Sequence, residues 1–123
     1  MNKNKSLLFS IAFIIPLIFY RIYVFLNNGE VSYLRSLTGL NVHHSHYGII
    51  LVTIALLLLI FYKVNKVTIL IAGLGAGTIL DSFISSLMPS MNRAQEIVNY
   101  QGNLIPTLIL FLGIICIVYL IRK

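Results

Sequence analysis

From Val67 to Met88 the chain runs for about 22 predominantly apolar residues, enough to cross a bilayer as a helix, yet this run carries a carboxylate, Asp81. Hydrocarbon offers no water to satisfy backbone N–H and C=O groups, so a run of this kind is restricted to a helix. At helical spacing Gly73, Gly77, Asp81 and Ser85 lie four apart and form one stripe, with Thr78, Ser82 and Ser86 in a second stripe beside it. Gly73 and Gly77 leave room for a second helix to approach closely, which marks the stripe as a packing face. A carboxylate inside a span costs about 2.5–3.5 kcal/mol on insertion scales, so Asp81 requires a partner, a proton or water.

The rest of the composition agrees with a membrane solvent. Hydrophobic residues make up 59% of the chain and charged residues only 10%, too few to clothe a water-soluble domain of this size. The net charge of +6 comes from basic residues scattered in ones and twos. They form no stripe of the kind that tracks a phosphate backbone, so no nucleic-acid partner is expected. Cys116 stands alone in an apolar run and has no second cysteine to pair with.

Four spans are expected, at 7–26, 43–62, 67–88 and 104–121, in one integral membrane domain. The basic start, with Lys3 and Lys5, resembles that of a signal peptide, but no small-residue cleavage site follows, so the first span is read as uncleaved and kinked at Pro16. Between Glu30 and Leu40, the recurrence of Val31, Leu34 and Leu37 predicts a short interfacial helix that stops at Gly39. The second span is too short unless it reaches back through Tyr47, which puts His43, His44 and His46 in its first two turns with Asn41 as N-cap. Lys63–Lys66 is a tight connection that makes the second and third spans antiparallel neighbours. Pro89 closes the third. Ser90–Gly102 is expected to be a polar loop with one or two helical turns, capped by Asn92 and Gln95.

The fold class is therefore an all-α membrane protein: a four-helix transmembrane bundle with a short interfacial helix after the first span. With both termini inside, Lys3, Lys5, Lys63, Lys66, Arg122 and Lys123 fall on the cytoplasmic side of the cell membrane. Arg21, Arg35 and Arg93 fall outside, with both glutamates, all three histidines and Asp81, which is a positive-inside pattern.

Counted outward from the inner anchors at about 1.5 Å per residue, Arg21, His46, Asp81 and Thr107 reach a similar depth near the outer edge of the hydrocarbon. Two main expectations for Asp81 follow. In the first, Arg21 and Asp81 form a buried ion pair in a structural or assembly subunit. In the second, His43 and His46, three apart on one helical face, join Asp81 to hold a divalent Zn or Fe ion with an open coordination position. His44 points about 100° away, beside Gly48, and is the weaker ligand candidate. A metal at that place could also activate water for a membrane hydrolase.

In size and helix count the chain is similar to the small multidrug transporters, which work as dimers. That resemblance covers size and helix count alone and implies proton- or ion-coupled transport; Asp81 as the titrating group is read from this chain's own intramembrane carboxylate and is not carried over from those proteins. Those transporters carry their essential carboxylate in the first helix, and the first helix here has none. A serine hydrolase built on Asp81, Ser82, Ser85 and a histidine lacks any nucleophile elbow. Gly73–Gly77 is no dinucleotide loop, because no strand precedes it. The expected partners are the lipid bilayer and a second copy of the chain or another membrane subunit.

Overall fold

A computed structural model describes residues 3–27 and 43–121 and contains five α-helices and no strand among them. They are α1 (Lys3–Leu26), α2 (His44–Phe61), α3 (Lys66–Leu87), α4 (Arg93–Gly102) and α5 (Leu104–Ile121). All but α4 are long and apolar enough to cross a membrane. The interfacial helix expected at 30–40 and the expected cap Asn41 lie outside the described residues.

The helix ends follow local chemistry. Asn65 caps α3, its side chain accepting the Thr68 N–H at 2.9 Å and the Thr68 hydroxyl at 3.1 Å. Pro89 disfavours helical backbone at Met88, and α3 ends at Leu87. The segment expected to be mostly loop holds the ten-residue α4. Asn92 caps it by accepting the Gln95 N–H at 2.9 Å, while Gln95 reaches back to the Met91 N–H at 3.0 Å rather than to the cap residue. Another difference concerns α2: it starts at His44, so His43 is its extended N-cap and only His44 and His46 lie in its first turn.

Helix α3 is the centre of the structure because glycines thin it on two sides. A Cβ at Gly73 would stand 2.8 Å from the Ala12 Cβ and 2.9 Å from the Phe9 carbonyl oxygen, and one at Gly77 would collide with the Phe13 carbonyl oxygen. Both face α1, which runs parallel to α3. On another side, a Cβ at Gly75 would stand 2.9 Å from the Val52 backbone nitrogen in α2. Gly48 of α2 returns the fit, since its Cβ would lie 2.8 Å from the Gly75 carbonyl oxygen. Backbones approach this closely only where small residues permit it, and the reward is dispersion contact along the whole seam.

Helix α5 is held more lightly. Phe111 packs against Phe13 with ring centroids 4.5 Å apart, and Leu17 completes this small buried cluster between α1 and α5. Most other apolar side chains of α2 and α5 face outward, among them Ile54, Leu57, Ile60, Ile109, Leu112 and Ile117. A hydrocarbon solvent accepts such a surface, whereas water would drive it to associate.

Candidate functional site

Near the end of α3 the glycine stripe reaches Asp81, which is wholly buried, and three other helices each deliver a group to it. From α1, Arg21 donates its Nε–H to Asp81 Oδ1 at 3.0 Å. From α4, the Tyr100 hydroxyl donates to Asp81 Oδ2 in a short hydrogen bond. From α2, the His44 Nε2 atom stands 3.3 Å from the same oxygen, close enough for an ion pair when the ring is protonated but not aligned for a hydrogen bond. The His44 ring stacks on Tyr20 of α1 at 4.4 Å between centroids and meets Tyr100 edge-on at 5.5 Å.

Arg21 carries the network onward to α5. Its Nη2 donates to Asn103 Oδ1 at 2.8 Å and to Thr107 Oγ1 at 3.3 Å, and its Nη1 donates to the Tyr100 carbonyl in a short bond. The guanidinium also lies 3.9 Å from the centre of the Tyr100 ring, a cation–π contact. Asn103 is the single-residue junction between α4 and α5, and the Thr107 hydroxyl donates back to its carbonyl at 2.8 Å. Burial first, and then the neighbouring Asp81 carboxylate, push the Tyr100 phenol above its ordinary range. Tyr100 therefore keeps the proton that it donates. With the aspartate charge matched by Arg21 and its second oxygen held by Tyr100, the carboxylate presents no open face.

The residues singled out in the sequence divide into three groups. Arg21, Asp81 and Thr107 meet in the network. Gly73 and Gly77 form the seam with α1 below it, and Ser85 lies beyond it, lining an outer cavity. The histidines fall differently from the expectation. His43 and His46 turn toward each other, with ring centroids 6.1 Å apart, and His46 Nδ1 accepts the His43 backbone N–H at 3.1 Å. The ring beside Asp81 is that of His44. Among the described residues no three His, Cys, Asp or Glu side chains converge into a set that could hold a metal ion, so the trio of His43, His46 and Asp81 is not assembled. The physical reason is Gly48. It has to face α3, because a Cβ there would strike Gly75 and Ile79, and His44 lies one turn before it on the same face.

Tyr100 and Asn103 carry no weight in a reading of isolated spans, although Tyr100, Asn103 and Thr107 recur at i, i+3 and i+7, the spacing of one helical face. The serines of α3 spend their hydroxyls on their own helix: Ser82 donates to Ile79 O at 3.0 Å, Ser85 to Ser82 O at 2.8 Å and Ser86 to Phe83 O at 2.6 Å. None is hydrogen-bonded to a histidine among the described residues, as a nucleophile awaiting a base would be.

Outside the network is a cavity of about 300 Å³. His44 and Tyr100 form its shared wall with the Asp81 network, and the first turn of α2, the last turns of α3 and one face of α4 complete it. The chain matches no protein-family model, no curated protein and no solved structure.

Proposed function

We propose that the protein is an integral membrane protein of the binding or assembly type, in which Arg21 and Asp81 are a structural lock rather than a reaction centre. The observation that carries this reading is the enclosure of Asp81: the carboxylate is fully buried and faces Arg21, His44 and Tyr100 from three other helices. A transport carboxylate has to meet water from each side in turn, and a catalytic metal ligand has to leave a coordination position open. A sealed, charge-matched carboxylate meets neither requirement. In the membrane its role is to orient the spans, because separating the pair strands a charge in a medium that cannot solvate it.

The test is a double-mutant cycle read as melting in detergent. Arg21→Leu is expected to destabilise strongly, and Arg21→Leu with Asp81→Leu is expected to recover much of the loss. Elemental analysis of the same purified protein checks the competing metal reading, for which near-stoichiometric zinc or iron that disappears in Asp81→Asn would be the contrary result.

The basic residues favour an orientation with the N-terminus and the α2–α3 connection in the cytoplasm. Val64→Cys and Met91→Cys, each in a Cys116→Ala background, are expected to label from opposite sides of the membrane. Labelling from the same side would overturn this topology.

A further inference from the structure

The cavity holds two charges that no ion pair among the described residues matches. Arg93 and Glu96 sit one turn apart on α4, both half-buried and both on the cavity wall. They do not pair with each other, and among the described residues the ion pairs are those of Asp81 alone. Glu96 receives only a long bond of 3.4 Å from the Ser90 hydroxyl. Half-burying a guanidinium and a carboxylate without pairing either costs solvation that nothing described in the fold returns.

The rest of the lining adds hydrogen-bonding capacity. Partial desolvation holds His43 below its ordinary pKa against the opposing pull of Glu96, so the ring is neutral at pH 7. Ser85 and Ser86 line the cavity and donate to helix carbonyls, which leaves their oxygens with acceptor capacity. One fixed cation, one fixed anion and a set of acceptors, in a space of about 300 Å³, have the size and chemistry of a small-ligand site.

We propose that this cavity binds a zwitterion, an acidic oxyanion on Arg93 and an ammonium group on Glu96 and the serine oxygens. A purely anionic ligand would leave Glu96 unmatched and repel it, and a purely cationic one would do the same to Arg93. The cavity lies where the first turn of α2 meets the last turns of α3, at the ends of two spans, which is the level of lipid headgroups. Two sources share the chemistry: the phosphoethanolamine head of a membrane lipid, and a free small zwitterion. The proposal is independent of the lock at Asp81, since Arg93 and Glu96 take no part in that network.

The experiment measures binding of three soluble probes to the purified full-length protein in a zwitterion-free detergent. They are glycerophosphoethanolamine, glycerol phosphate and ethanolamine. Saturable binding of the first is expected, with the two half-probes at least about tenfold weaker. Arg93→Gln and Glu96→Gln, both at half-exposed positions away from the helix seams, are each expected to weaken it by about tenfold or more while melting no lower than wild type without ligand. Reconstitution into nanodiscs separates the sources. If discs containing phosphatidylethanolamine block the soluble probe and phosphatidylglycerol discs do not, the lipid is the occupant; if neither blocks it, the free zwitterion is, and both results uphold the site. Absence of binding in every arm overturns the proposal. Equal binding of glycerol phosphate that Glu96→Gln leaves unchanged also overturns it, by showing a plain anion site.

Discussion

Helix α3 meets α1 along a single face in two unlike ways. At Gly73 and Gly77 the contact is one of shape: no α3 side chain intervenes, and its backbone lies against the α1 backbone and the small Ala12 side chain. One turn further out, at Asp81, the contact is one of charge, with a long arginine side chain bridging the gap. The shape contact is tight because nothing larger than hydrogen fits there. The charge contact needs no such closeness, but it does need every partner, since each group removed leaves another buried and unsatisfied. The seam brings the helices together and the network sets which residues face each other at the C-terminal ends of α1 and α3.

The largest effect is expected from the network. Arg21→Leu strands Asp81 and should cost about 3–5 kcal/mol of stability by detergent melting or denaturant titration. Recovery in the double leucine variant is the signature of a charge contact. If Arg21→Leu alone is tolerated, the contrast between the two contacts collapses.

The seam comes next. Gly77→Ala places a Cβ against the Phe13 carbonyl oxygen and should cost up to about 3 kcal/mol, with Gly73→Ala somewhat milder because a side chain shares its clash. Gly113 of α5 has nothing within 4 Å of an added Cβ, so Gly113→Ala should leave melting unchanged. Equal behaviour of Gly77→Ala and Gly113→Ala would remove the shape contact from this account.

The smallest of these effects belongs to Tyr100→Phe, which takes one donor from Asp81 while Arg21 and His44 still face it. About 1.5 kcal/mol of destabilisation is expected, the lower end of the range for a hydrogen bond to a charged group. A neutral result would mean that Arg21 alone satisfies the carboxylate.

Much of this architecture can be traced in the residues alone. Four apolar runs of bilayer length have no other fold open to them, because an unpaired peptide group in hydrocarbon costs several kcal/mol. The packing stripe of α3 is legible because Gly73, Gly77 and Asp81 repeat every four residues, and the depth count puts Arg21, His46, Asp81 and Thr107 at one level because helical rise is constant, although His46 turns to His43 instead of joining the other three. What spacing within single helices could not supply is how each helix is turned toward its neighbours. The histidines make the point. His43 and His46 were the natural pair by their separation of three, but it is Gly48, wedged against Gly75 in the folded chain, that rotates α2 and carries His44 to Asp81. Tyr100 and Asn103 belong to the same lesson, for they lie on a short helix and a one-residue junction whose place depends on the docking of α4. Local sequence determines where helices form and which side of each is lean or polar, since those follow from solvent and periodicity. Rotation and docking were decided only in the tertiary structure, because they depend on whether two backbones can close to contact, a property of pairs of helices rather than of either one.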